Sequence, residues 1–160
     1  QGAENVAEIG TNAKMNEFCA AMGICNLRHA DEEIKKRKAV AERYLDCLER
    51  VPGLRLPVEQ QKVRPNYAYF PVVIEKSTFG ATRDEVYNVL KRNGIGSRKY
   101  FFPLTSMCKC YHGRYDEHET PVARYISSNV LSLPMFADLQ TKDINRICKI
   151  IKDVGLGKGD

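Results

Sequence analysis

Apolar and polar positions alternate along this chain with two periods, and the two periods divide it into predicted helices and strands. Met15, Phe18, Met22 and Cys25 stand at helical spacing. Ala20, Ala21 and Gly23 give that helix a surface that another backbone can approach. Its apolar face needs cover, and the expectation is self-association through residues 1–29. Asp31 predicts the cap of a longer second helix, with Glu32 and Glu33 favourable in its first turn. Ile34, Ala41, Tyr44, Leu45 and Leu48 line one face of it, while lysines and arginines fill a solvated opposite face. Pro52-Gly53 ends it.

Leu54-Leu56 predicts a short strand, followed by a polar loop over 59–65. Tyr67–Ile74 predicts a strand buried on both faces, at an edge or interrupted at Pro71, which has no N–H for a ladder. Thr82-Arg83-Asp84-Glu85 is a capping box. It opens a helix with Val86, Val89 and Leu90 inward, closed by Gly94. Gly96–Phe102 predicts another strand. Thr120-Pro121 starts a short helix, because proline suits the first helical position. Val130–Leu133 predicts a strand, and Thr141 caps a last helix with Ile144, Ile147, Cys148 and Ile151 inward, ending near Gly155. This order predicts an α+β fold, a small mixed or antiparallel sheet packed with helices.

Composition changes this picture little. The chain has 160 residues, 43% of them hydrophobic and 28% charged, which suits one soluble domain and excludes wholesale disorder. The longest nearly apolar run, Tyr67–Ile74, is too short to span a bilayer. A net charge of +5 permits anionic partners and names none. The chain opens Gln1-Gly2-Ala3-Glu4 without an initiator methionine or a signal-peptide pattern, so it is read as an internal piece of something longer. The six cysteines are read as reduced, cytoplasmic thiols, four of them within helical patterns among apolar neighbours. Cys108-Lys109-Cys110-Tyr111-His112 has the wrong spacing for a zinc knuckle, so no metal is expected.

Periodicity implies no catalysis, but local sequence does. Gly10-Thr11-Asn12-Ala13-Lys14-Met15-Asn16-Glu17, followed by small residues and Gly23, resembles a signature of the DegT/DnrJ/StrS sugar aminotransferases. Asn66–Val73, Thr82–Leu90, Arg98–Leu104, Val130–Ala137 and the last helix agree with that family in order and spacing. The resemblance implies the C-terminal part of a pyridoxal-phosphate enzyme of the aspartate-aminotransferase fold. Residues 1–29 would form a dimer-interface and cofactor loop with its helix, and residues 30–160 a small α+β domain.

The resemblance also implies a reaction and its partners. The parent enzyme would transfer an amino group, from glutamate, to a nucleotide-linked keto sugar in polysaccharide biosynthesis, as a homodimer. It would use neither nucleic acid nor membrane. Asn12 matches the residue that binds the cofactor phosphate of the partner subunit, a role that suits an amide donor; read without the family it is a helix N-cap. Gly10 gives that loop freedom to approach, and Lys14 adds positive charge. Arg98, Lys99 and Tyr100 match a strand bordering the substrate entrance, where cations and a phenol suit a diphosphate or carboxylate. Thr105 and Ser106 stand where many members carry histidine. No lysine here matches the one that binds the cofactor covalently, so no catalytic residue is assigned and the chain alone is expected to be inactive. Two other readings are a sugar dehydratase of the same family and a basic module that binds nucleic acid through Tyr100 and Phe101.

Overall fold

A computed structural model describes residues 14–111 and 114–158. The chain divides into two compact units, residues 1–32 and 33–160. In the first, helix α1 runs Glu17–Leu27, and Asn16 caps it by accepting the Cys19 N–H at 2.8 Å. The cap of this helix is therefore Asn16 and not Asn12. No residue of α1 is buried, and Met15, Phe18, Met22 and Leu27 are all exposed.

The second unit is built on α2 (Ala30–Leu48), β1 (Leu54–Arg55), β2 (Phe70–Ile74), α3 (Lys76–Phe79), α4 (Arg83–Arg92), α5 (Pro121–Asn129), β3 (Val130–Leu133) and α6 (Thr141–Gly155). Helix α2 starts one residue before Asp31, which lies within the first turn instead of capping it. Its inward face is Val40, Ala41, Tyr44 and Leu48. Thr82 does form both halves of the capping box with Glu85. Gln140, not Thr141, occupies the cap position of α6, whose Ile144, Ile147, Cys148, Ile151 and Val154 are buried.

The three strands form one antiparallel sheet in the order β1-β2-β3. Phe70, Val72 and Ile74 are buried and Pro71 and Val73 only partly so, which corrects the expectation of a strand buried on both faces. Pro71 sits opposite Ser132 in the centre of the sheet without breaking it. Ser132 turns both its backbone groups away from β2, donating to the Arg98 carbonyl at 2.8 Å and accepting from the Arg98 N–H at 3.0 Å. The Pro71–Ser132 pair is thus a non-hydrogen-bonded one. On the other side, β1 reaches only Val73 and Ile74. No ladder partner asks for the N–H that Pro71 lacks.

The strand expected over 96–102 is reduced to that single Arg98–Ser132 bridge. Beyond it the chain turns, with the Phe102 N–H donating to the Lys99 carbonyl at 2.8 Å. The reason lies on β3. The next outward-facing carbonyl of that strand, Val130, already accepts from Arg83 at 3.2 Å. A β-prone sequence needs an open edge to pair with, and here the edge is occupied.

Tyr44 is the centre of the core. It is fully buried, stacks on Phe70 at 4.8 Å, and donates its hydroxyl to the Pro134 carbonyl at 3.0 Å. Burial pushes its phenol well above the ordinary range. All six cysteines are free. Cys148 is buried against Cys47 and its thiol is pushed up to about 12, first by burial and then by that neighbour. It stays protonated and packs as a small hydrophobe.

Phe79, the buried end of the short α3, is held between two glycines. A Cβ on Gly53 would lie 2.3 Å from the Phe79 nitrogen, and one on Gly155 would lie 2.7 Å from its ring. Gly53 also has φ +78°, a conformation that costs about 1–2 kcal/mol for a residue with a side chain. Gly53→Ala is therefore expected to lower unfolding stability by about 2 kcal/mol or more, strain and clash acting together. Urea denaturation of the two proteins measures it.

Candidate substrate-facing site

The capping box fixes where α4 begins, and so where Arg83 and Asp84 stand. Arg83 is buried. Its NH1 donates to the carbonyls of Ser127 and Val130, both at 3.2 Å, and its Nε to Asp84 Oδ1 at 2.6 Å. The guanidinium also lies 4.9 Å from the centre of the Phe102 ring, within cation–π range. A buried charge is tolerated when it is paired and hydrogen-bonded in this way.

Across from this network runs the segment 96–103. Arg98 donates to the Tyr100 hydroxyl, and its guanidinium lies 5.2 Å from the Tyr100 ring centre. Tyr100 stacks on Phe101 at 4.8 Å with rings 6° from parallel. Tyr69 meets Tyr100 edge-on at 5.8 Å. Arg98, Tyr100, Tyr69 and Phe136 line a cavity of about 350 Å³ together with residues 132–135. A cation and a phenol beside flat aromatic faces make a pocket suited to a planar ligand with an anionic part.

Lys99 has a different set of partners from Arg98 and Tyr100, as alternation predicts. Its Nζ bonds Asp84 Oδ1 at 2.6 Å and lies 4.7 Å from the centre of the Tyr87 ring. It is absent from the lining of the 350 Å³ cavity and shares a second cavity, of about 650 Å³, with Arg98, Tyr100 and Tyr87. The Lys99 hydrogen bond is the chief reason why the Asp84 carboxyl is held below its usual range, with Arg83 adding to it. Ser127 closes the arrangement by donating its hydroxyl to the Phe101 carbonyl at 2.9 Å.

Of the residues expected at a cofactor site, Gly10 and Asn12 lie outside the described residues, and Lys14 is exposed just before α1. Arg98 and Tyr100 are brought together, and Lys99 is engaged by Asp84. Tyr69, Asp84 and Tyr87 were missed. Tyr69 read as a buried strand residue, but it lies ahead of β2 and is exposed. Asp84 read only as part of a helix start. Among the described residues no group of His, Cys, Asp or Glu side chains could hold a metal ion; His112 lies outside them. Among the same residues no helix is long and apolar enough to cross a membrane.

The model of the DegT/DnrJ/EryC1/StrS aminotransferase family matches residues 1–152. The chain belongs to this family. It is 36% identical over 144 residues to the dTDP-4-amino-4,6-dideoxy-D-glucose transaminase of Escherichia coli, covering 89% of this chain and 38% of that enzyme. It is 28% identical to the spore coat polysaccharide biosynthesis protein SpsC of Bacillus subtilis, covering 90% and 38%. Among solved structures, DesI determined with its TDP-sugar product superposes with a TM-score of 0.82 at 31% identity, covering 93% of this chain and 38% of DesI. DesV of S. venezuelae gives the same TM-score at 27% identity, covering 97% and 40%. The chain thus spans less than half the length of these relatives. Its fold is the α+β arrangement that these aminotransferases contain.

In this family member the depressed Asp84 carboxyl links stability to pH. Its folded pKa lies below the unfolded value of about 3.9, so its contribution is fully present above about pH 4 and is lost as pH falls through the folded pKa. Denaturant titrations at a series of pH values are expected to show wild type more stable than Asp84→Asn at neutral pH, with the gap closing below about pH 4.

Proposed function

We propose that this chain is the C-terminal part of a pyridoxal-phosphate-dependent sugar aminotransferase, which transfers an amino group from glutamate to a nucleotide-linked keto sugar. The match to an aminotransferase family over residues 1–152 carries this reading. The cavity supports it: Arg98 offers charged donors and Tyr100 a phenol beside aromatic faces, a set that suits a nucleoside diphosphate. Arg98 binds the diphosphate and Tyr100 orients it. The neutral substrate carbonyl needs no cation, so both are binding residues.

Pyridoxal phosphate, when bound, supplies the electron-withdrawing ring that lets an amino-bearing carbon lose its proton. Asn12 and Lys14 hold its phosphate in the partner subunit of a homodimer, an amide and an ammonium both being donors suited to phosphate oxygens. Lys14 is exposed and stands ahead of the Asn16 cap, where an anion can reach it. The lysine that binds the cofactor covalently belongs to sequence outside this chain, and the chain by itself is inactive.

Assay of the full-length protein with glutamate and a dTDP-linked 4-keto sugar tests the reading, with formation of the amino sugar as the expected result. In that protein Arg98→Ala is expected to raise KM for the nucleotide sugar roughly tenfold, with KM for glutamate unchanged. Asn12→Ala is expected to weaken cofactor retention by about 1.5–3 kcal/mol, the worth of one hydrogen bond to a charged group. Equilibrium dialysis of pyridoxal phosphate measures this, and unchanged affinity refutes the cross-subunit contact.

A further inference from the structure

The Asp84 carboxylate joins two parts of the fold. One oxygen, Oδ1, accepts from Arg83 Nε and from Lys99 Nζ, each at 2.6 Å. Arg83 is in turn fixed to the end of α5 and to β3 through the Ser127 and Val130 carbonyls. The carboxylate therefore ties Lys99 to the rigid part of the unit. Lys99 lies between Arg98 and Tyr100, and its carbonyl accepts the Phe102 N–H at 2.8 Å, so fixing Lys99 fixes the start of the turn that carries Tyr100. Ser127 holds the Phe101 carbonyl at 2.9 Å and Arg83 faces the Phe102 ring at 4.9 Å. Every residue from 98 to 102 has an anchor, and the Asp84–Lys99 ion pair is the one that acts on the residue between the two cavity-lining side chains.

We infer that Asp84 is a positioning residue for nucleotide-sugar binding, acting through Lys99 to hold Arg98 and Tyr100 toward the cavity. The inference rests on the proposed substrate class. It also separates the three neighbours by role: Arg98 and Tyr100 line the 350 Å³ cavity that takes the ligand, and Lys99, absent from that lining, holds the segment through Asp84. A lysine already engaged by a carboxylate at 2.6 Å is a poor anion site, and releasing it by removing Asp84 has the opposite consequence under the two roles.

The test measures calorimetric affinity of the full-length protein for thymidine diphosphate, in wild type, Asp84→Asn, Lys99→Met and the double variant. Expected are losses of about tenfold in each single variant, the scale of one charge-assisted contact. The double variant is expected to be no weaker than either, since both changes remove one interaction. Lys99→Arg, which keeps the cation, is expected to restore most of the affinity. Amide exchange at Phe102, whose N–H closes the turn onto Lys99, is expected to quicken in both single variants by more than their loss of global stability accounts for, measured against amides of α6. Tighter or unchanged binding by Asp84→Asn beside weaker binding by Lys99→Met would overturn the positioning role and make Lys99 a direct ligand contact. Losses that multiply in the double variant overturn it too. If wild type fails to bind thymidine diphosphate, the substrate class itself falls and this role with it; wild-type binding that Asp84→Asn leaves intact removes the role alone. Should Asp84→Asn not fold, Lys99→Met and its Arg counterpart carry the same decision.

Discussion

Arg83 is a charge inside a protein, and much of the second unit is arranged around making that tolerable. Unpaired, such a group is expensive to bury; paired and fully hydrogen-bonded, it fixes the position of everything it touches. A planar guanidinium offers five N–H donors in a fixed fork where an ammonium has three, so it serves several partners in set directions. Here it meets the Ser127 carbonyl, the Val130 carbonyl, the Asp84 carboxylate and the Phe102 ring. Ser127 belongs to the last turn of α5, whose final carbonyls have no partner within the helix. One side chain thus ends a helix, occupies a strand edge and supports the loop that lines the cavity.

The cavity inherits its order from that arrangement. Ser132 holds Arg98 by backbone bonds, so the segment leaves β3 from a fixed point. From there the aromatic rings of Tyr69, Tyr100 and Phe101 pack on each other and not on the core, and Tyr69 and Tyr100 line the cavity. The same Ser132 lets Pro71 sit in the middle of the sheet. The ordinary antiparallel alternation, which points the Ser132 backbone groups away from β2, explains both an unusual proline and the position of the cavity-lining arginine.

Elements with long periodic patterns were legible in the sequence. Four of the five inward residues of α6 and the Thr82–Glu85 box describe local physics that tertiary contacts then reinforce. Family resemblance likewise rested on residues close together in sequence. The strand expected over 96–102 failed because its pairing depended on Val130, whose carbonyl a distant arginine had taken. Asp84 was invisible as a partner of Lys99 because a carboxylate in a first helical turn already has a sufficient local explanation. Helix α3 was missed because four residues carry too little pattern. Arg98 and Tyr100 still line one cavity, joined by the bond from the Arg98 guanidinium to the Tyr100 hydroxyl although the backbone between them turns.

The occupied edge of β3 has a consequence for the molecule in a crowded solution. An exposed strand edge is a template on which a foreign strand can add, and proteins blunt such edges with charge or cover. On β3 the outward groups of Ser132 are committed to Arg98, and the Val130 carbonyl to Arg83. The opposite edge is β1, two residues long and ending in the exposed Arg55. An incoming chain would have to expel a buried cation at one edge or pair with a stub at the other. The same guanidinium that orders the cavity wall guards the sheet against edge-on self-assembly.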